Sequence, residues 1–80
     1  MFNIHSDTEE LIRYLQAQDD LRLLIAEDFN ILRYERISGR SFLKLTEEKL
    51  RSYGMKGGPA SDLADYAEKL RKTFAVELGN

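Results

Sequence analysis

Residues 37–58 read ISGRSFLKLTEEKLRSYGMKGG, and this stretch decides how the rest of the chain is interpreted. Ser38 and Gly39 are typical of a turn, and the serine hydroxyl is well placed to accept a hydrogen bond from a free amide at a helix start. The sequence therefore predicts a turn followed directly by a very short helix that carries Phe42 and Leu43.

A second helix is predicted within the same stretch. Thr46 is a good N-cap, and Glu47 and Glu48 lie in the first turn, where the helix dipole favours negative charge. The helix is expected to reach Tyr53. Gly54 then ends it, because glycine readily adopts the left-handed conformation that commonly follows a helix C-terminus.

The longest helix is predicted to follow the Gly-Gly-Pro break at residues 57–59. Proline at the first helical position removes no hydrogen bond, and its fixed φ suits the helix. We expect the helix to run from Pro59 to Phe74, and Val76 and Leu78 would prolong it. The apolar residues that give it an amphipathic face are Leu63, Tyr66, Ala67, Leu70 and Phe74.

The N-terminal third is predicted to hold two further helices. The first runs from Thr8 to Gln18, after three possible N-caps at residues 6–8. Its apolar face comprises Leu11, Ile12 and Leu15. The second begins near Glu27 and ends around Arg36. Its inward residues are Phe29, Ile31 and Leu32.

The segment between these two helices, residues 21–26, is apolar and too short for its periodicity to classify. Because no neighbouring segment is available to pair with it as a strand, we predict a buried connection. The chain is thus predicted to be all-α, a compact five-helix bundle that forms a single domain over residues 1–80 with its helical core over about 7–75. The predicted core leucines are Leu43, Leu50, Leu63 and Leu70.

Composition excludes several classes of protein. The chain is 42% hydrophobic and 32% charged, which is ordinary for a globular domain. No apolar run approaches the roughly 20 residues of a membrane span, so we expect no membrane association. The absence of cysteine excludes disulfides and thiolate metal sites. Residues 1–6 show no signal-peptide pattern, and we expect an intracellular protein, cytoplasmic or nuclear.

The sequence contains no recognisable catalytic constellation. His5 is the single histidine and lies near the N-terminus, so no serine–histidine arrangement can be proposed. Adjacent carboxylates such as Glu9 and Glu10 point about 100° apart on a helix and cannot converge on one substrate. Gly57 and Gly58 lack the pattern of a phosphate-binding loop. We therefore predict no enzyme activity, no catalytic residue, no cofactor and no metal site.

The turn, the short helix, the threonine-capped helix and the glycine stop form an ordered set that resembles the central signature of the sterile alpha motif (SAM) domain. The resemblance covers residues 29–74 and includes the long last helix. The residues that carry it are Ile37-Ser38-Gly39, Phe42-Leu43, Leu45-Thr46-Glu47-Glu48, Leu50, Tyr53-Gly54-Met55 and Gly58.

This resemblance implies a non-catalytic protein-interaction module, of the kind found in signalling scaffolds. SAM domains bind themselves, other SAM domains or other proteins. Their usual contact joins a mid-loop surface, on the middle helices of one copy, to an end-helix surface at the start of the last helix of the next. Such a head-to-tail contact is heterologous, so it can propagate into an open polymer. Self-association is the first hypothesis, and binding a different SAM domain or another protein is the alternative.

Charge is unevenly distributed along the chain. Residues 1–37 carry eight acidic and four basic side chains, a net of −4, and residues 38–80 carry six and eight, a net of +2. The two halves are either ordinary solvated faces or the two poles of a head-to-tail contact. In the second interpretation the acidic mid-loop residues are Asp28, Glu35, Glu47 and Glu48. The end-helix residues are Arg51, Lys56, Gly57, Gly58 and Ser61.

The end-helix surface is expected to be positive because the free amides of a helix start, placed at residues 58–61, add to the charges of Arg51 and Lys56. Many SAM domains carry a basic pair just after the glycine that opens the last helix, but here residues 57–62 read GGPASD. Some SAM domains bind RNA hairpins, and this remains the lesser alternative. Phosphate contacts dominate such affinity, and this chain has a net charge of −2. Its basic group comprises Arg33, Arg36, Arg40 and Lys44.

Overall fold

Residues 3–74 are described by the computed structural model, and they form five α-helices and one turn of 3-10 helix, with no β-strand among them. The helices are α1 (Thr8–Gln16), α2 (Ala26–Tyr34), α3 (Gly39–Phe42), α4 (Glu47–Ser52) and α5 (Gly57–Thr73), and the 3-10 turn is Asp19–Leu21. The predicted all-α fold, with its five helices and long last helix, is confirmed.

Side chains cap the starts of the first four helices. Asp7 and Glu10 form a capping box at α1, in which each carboxylate accepts the amide of the other residue at 2.8 to 2.9 Å. Ser38 caps α3 and Thr46 caps α4, and each hydroxyl accepts the amide three residues ahead. At α2, the carboxylate of Asp28 accepts the amide three residues before it. Each cap satisfies a donor that has no partner inside its own helix.

All five helices contribute to one apolar core. The long helix α5 packs against α4 and the 3-10 turn, while α1 packs against α2 and α3. The four predicted core leucines are all buried. The largest fully buried side chains are Leu11, Ile12, Leu15, Leu32, Phe42, Leu43, Leu50 and Leu63.

Two of the helices are followed by a residue in the left-handed conformation. After α4 this residue is Gly54, with φ of 101°, in agreement with the predicted glycine stop. After α2 it is Arg36, with φ of 55°, and the turn lets the Ile37 amide bond to the Leu32 carbonyl at 3.0 Å. A Cβ is crowded in this conformation, so arginine costs stability here that glycine would not.

The first two helices end two residues earlier than predicted. Helix α1 ends at Gln16 rather than Gln18, because the chain turns there into the 3-10 segment. Helix α2 ends at Tyr34 rather than Arg36, because the left-handed backbone of Arg36 leaves the helical region.

Helix α5 begins two residues earlier than predicted. It starts at Gly57, so the glycine pair forms its first turn instead of breaking the chain. Pro59 is the third helical residue, where its missing amide still removes no intrahelical bond. Val76 and Leu78 lie outside the described residues.

The predicted burial of the connection at residues 21–26 is confirmed for two residues and wrong for the other four, which are exposed. Leu21 and Leu24 are buried, whereas Leu23 is 77% exposed and Ile25 is 59% exposed. The Leu24 amide bonds to the Leu21 carbonyl at 3.1 Å, which makes a tight turn. Such a turn presents some of its side chains to the core and leaves the others in solvent.

Candidate functional site

The start of α5 is unlike the other helix starts, because no side chain accepts a hydrogen bond there from the described amides. Lys56 occupies the N-cap position, and its carbonyl accepts the Ala60 amide at 3.0 Å. The amides without an intrahelical partner therefore precede Ala60, at residues 56–58. Of the predicted residues 58–61, only Gly58 is among them. These amides carry the positive end of the helix dipole.

Two cations lie at this helix start. A methyl group on Gly57 would stand 3.8 Å from Nη1 of Arg51, so the guanidinium lies beside the first turn. Lys56 is exposed at the N-cap. Neither cation forms an ion pair with another of residues 3–74. The predicted end-helix residues Arg51, Lys56 and Gly57 are therefore neighbours.

Asp28 does not belong to an accessible mid-loop surface. Its side chain is only 5% exposed, and its Oδ2 accepts the Ile25 amide at 2.9 Å. The carboxylate is thus occupied in starting α2, which corrects its assignment as an interface residue. An aspartate in the first turn of a helix serves equally as a cap or as a surface charge, and the sequence pattern does not distinguish the two roles.

Glu47 and Glu48 lie closer to the end-helix residues than the sequence suggested. Both are exposed, and both line one groove together with Arg51. Helix α4 places residues three or four apart on one face, so these two glutamates and this arginine share a side of the helix. Through Arg51 they lie near the start of α5, and they do not line the groove that contains Glu35.

Glu35 lies in a separate depression that we call the middle groove. The residues that line it are Glu35, Arg36, Ile37, Ser41, Lys44, Leu45, Lys49 and Tyr53. Its three basic side chains outnumber its single carboxylate, so it is a net positive surface. None of the three cations forms an ion pair within residues 3–74. The middle of the molecule is therefore basic at this groove, where the sequence predicted acidic character.

A second depression, the apolar groove, lies beside the start of α5. It is lined by Leu23, Leu24, Gly58, Pro59 and Asp62. A Cβ added to Gly58 would meet no heavy atom within 4 Å, so the groove is open at that point. The sequence prediction missed this groove because it placed Leu23 in the core. The sequence feature that could have predicted the groove is the Gly-Gly-Pro run, because glycines have no side chain to fill the space at the helix start.

Acidic side chains continue from the apolar groove along α5. Asp62 also lines a neighbouring groove with Asp20, Asp65, Tyr66 and Lys69. The Lys69 ammonium lies 3.6 Å from Oδ2 of Asp20, and both side chains are largely exposed. This side of α5 is consequently negative, whereas Arg51 and Lys56 lie on the other side, next to Glu47 and Glu48.

Tyr66 is buried, and its hydroxyl links two parts of the fold. Its hydroxyl donates to Oε1 of Gln18 at 3.0 Å and lies 2.9 Å from the hydroxyl of Tyr14. Burial, together with the hydrogen bond to Tyr14, raises the pKa of the Tyr66 phenol well above its ordinary value of 10.0. The phenol therefore stays neutral near pH 7 and joins α1 to α5, in agreement with its predicted place in the core. Tyr53, which follows the end of α4, is partly buried.

One member of the predicted basic group is already paired. The Arg33 guanidinium donates two hydrogen bonds to the Glu9 carboxylate, at 2.8 and 3.2 Å. This contact lowers the pKa of Glu9 and raises that of Arg33, because each charge stabilises the other. Arg36 and Lys44 are the members that reach the middle groove, so the four basic residues do not form one continuous surface.

Neither a metal centre nor a membrane span is formed by the part of the chain that the structure describes. No three histidine or carboxylate side chains come together there in an arrangement that could hold a metal ion. No helix among residues 3–74 is both long enough and apolar enough to cross a bilayer. The features that stand out are the uncapped start of α5 and the two grooves of opposite charge.

Comparison with known families supports the fold independently. The model of the SAM-like domain family matches residues 4–69, which includes all five helix starts and most of α5. Searches of curated proteins and of solved structures found no match.

Proposed function

The chain belongs to the SAM-like domain family, and from this premise we propose that it is a non-catalytic protein-interaction module that associates with copies of itself. Membership of this family supports a role in protein interaction in general. In the proposed contact, the start of α5 of one copy docks on the middle groove of the next. The two faces differ, so a pair of copies still has one free face of each kind at its two ends, and the assembly extends head to tail.

The observation that carries the proposal is the uncapped start of the longest helix. At each of the other four helix starts a backbone amide donates a hydrogen bond to a side-chain oxygen, as described above. At α5 the amides of residues 56–58 donate no hydrogen bond to a side chain within residues 3–74. Water satisfies such amides in a monomer, but an oxygen atom of a partner satisfies them equally well and gains from the helix dipole.

The charged residues on each face have different roles in this proposal. Arg51, Lys56, Gly57, Gly58 and Ser61 form the end-helix surface. Glu35 supplies the acceptor in the middle groove of the next copy. Glu47 and Glu48 lie beside Arg51 at the rim of the contact. They affect mainly the rate at which the partner associates, since rim charges mostly steer association.

Sedimentation velocity over micromolar to millimolar concentrations tests the proposal. The parent protein is expected to form species that grow with concentration. Lys56→Glu and Glu35→Lys should each weaken this growth, because the proposed contact sets the Lys56 ammonium against the Glu35 carboxylate and either change places two like charges there. Arg13→Glu, an exposed charge reversal on α1, is the matched control and should sediment like the parent. A parent that remains monomeric at the highest concentration would overturn the proposal of self-association.

The same purified protein also tests two other classes of partner, a different protein and RNA. A monomeric parent would favour a different SAM domain or another protein as the partner. RNA is tested separately because Arg36, Lys44 and Lys49 come together in the middle groove. We expect fluorescence anisotropy with RNA hairpins to show no binding tighter than the roughly 10⁻⁴ to 10⁻⁶ M typical of non-specific contacts.

We also propose an intracellular setting, cytoplasmic or nuclear, which the absence of cysteine supports.

A further inference from the structure

Three large apolar side chains among residues 3–74 stand well out in solvent. They are Leu23, Ile25 and Tyr34, exposed by 77%, 59% and 86%. Leu23 lines the apolar groove beside the start of α5. Tyr34 is the last residue of α2 and immediately precedes the residues that line the middle groove. The two faces of the proposed contact therefore each carry an exposed apolar group.

We propose that Tyr34 of one copy inserts into the apolar groove of a second copy, where Arg36 of the first meets Asp62 of the second. This inference rests on the proposed self-association and names the residues that hold it together. Tyrosine and arginine are among the side chains that most often dominate binding energy at protein interfaces, because they bury a large area and still make polar contacts.

The lining of the apolar groove suits the chemistry of a phenol ring. Leu23 and Pro59 give it apolar walls, and the space above Gly58 is empty to at least 4 Å from the position of a Cβ. The unpaired amides of the helix start lie at the same end of α5. A phenolic oxygen is a suitable acceptor for them. A ring that entered this groove would thus find both an apolar surface and donors.

Charge complementarity identifies a second copy as the occupant. The apolar groove continues into a surface with Asp20, Asp62 and Asp65, and Lys69 is the single cation that lines it. The middle groove beside Tyr34 contains Arg36, with two lysines and one glutamate. A net negative face and a net positive face on one molecule match each other when two copies meet head to tail.

The backbone of Arg36 supports its role in this contact. With φ of 55° the residue occupies a position at which glycine is favoured, so the arginine side chain is present there at a cost in stability. Residues held in such conformations are concentrated at functional surfaces. Arg36 is also exposed and has no ion-pair partner within residues 3–74.

Sedimentation of four variants tests the inference. Tyr34→Ala and Leu23→Asp alter side chains that are already exposed, so both proteins should fold like the parent by circular dichroism. Each should weaken self-association about tenfold or more, since removal of a central anchor at an interface has effects of that size. Arg36→Glu and Asp62→Arg should each weaken it as well. An equimolar mixture of these two proteins should associate again, because each retains one intact face.

The outcomes separate this inference from the broader proposal. Association that survives both Tyr34→Ala and Leu23→Asp, but is lost in Lys56→Glu, would overturn the inference and leave head-to-tail association standing. A parent that is monomeric at millimolar concentration would overturn both. The charge-reversed double variant, with Arg36→Glu and Asp62→Arg in one chain, restores the pair in opposite polarity. We expect it to associate more strongly than either single variant, and weaker association than both would contradict the Arg36–Asp62 contact.

Discussion

The C-terminal part of the described chain, residues 39–74, and the segment before it, residues 19–37, use their apolar residues differently. In the C-terminal part the periodic leucines are buried, and the sequence pattern matches the packing. In the segment, Leu23, Ile25 and Tyr34 are exposed, and α2 ends on a left-handed arginine. Packing of the core explains the first arrangement but not the second, for which we propose the contact with a second copy.

The largest expected effect contrasts a core leucine with an exposed one. Leu63→Ala should lower the free energy of unfolding by about 2–5 kcal/mol, because it leaves a cavity where the side chain is fully buried. Leu23→Ala should change it by less than about 0.5 kcal/mol. Urea unfolding at one temperature measures both. Equal losses for the two variants would remove the distinction between the two parts of the chain.

Asp28→Ala tests the role of the one buried carboxylate in residues 19–37. Loss of the bond to the Ile25 amide should destabilise the protein by about 1–2 kcal/mol, as for other helix caps. Association measured on the folded fraction should stay like that of the parent, because the side chain is inaccessible to a partner. A variant of unchanged stability that no longer associates would instead return Asp28 to the interface.

Tyr66→Phe tests the polar contact that joins α1 to α5. Removing the hydroxyl should cost about 1 kcal/mol near pH 7, since two hydrogen bonds are lost within a mostly buried site. In the parent the pKa of Tyr66 is higher folded than unfolded, so its contribution is complete below about pH 10 and is lost as the pH rises further. Urea unfolding repeated between pH 9 and about pH 11 should therefore show a shallower alkaline loss in the variant than in the parent. Identical slopes would argue against a raised pKa.

The smallest expected effect has the opposite sign. Arg36→Gly should raise the free energy of unfolding by about 0.5–1 kcal/mol, because relief of the crowded left-handed backbone exceeds the extra freedom that glycine gives the unfolded chain. The same change should weaken self-association. Thermal unfolding and sedimentation of one preparation measure both quantities. A gain in stability without any loss of association would show that the arginine is not retained for binding.

The sequence predicted the fold from features that act locally. Ser38, Thr46 and Gly54 perform the capping and stopping roles inferred from residue type alone. The spacing of the leucines in α5 identified its buried face because an α-helix repeats every 3.6 residues. These inferences required no knowledge of neighbouring helices.

The candidate site was predicted less completely because its residues are brought together by tertiary packing. Glu47 and Glu48 were grouped with Glu35 by charge, but the orientation of α4 places them beside Arg51. Leu23 was assigned to the core because hydrophobicity indicates a preference for burial and not the presence of space in the core. The middle groove is lined by side chains from residues 35–53, between the end of α2 and the end of α4, and neither the charge of each half nor periodicity indicates which of them meet.

The central claim is that two different faces of this domain bind each other head to tail, and mixing two blocked variants tests it most directly. Gly58→Gln fills the open space at the start of α5 without meeting another atom at its Cβ, and Arg36→Glu reverses a charge in the middle groove. Each variant keeps one intact face. Sedimentation velocity should show each as a monomer and their equimolar mixture as a dimer that grows no further, whereas the parent forms larger species. Variants that each associate like the parent, or a mixture that remains monomeric while the parent associates, would contradict the account.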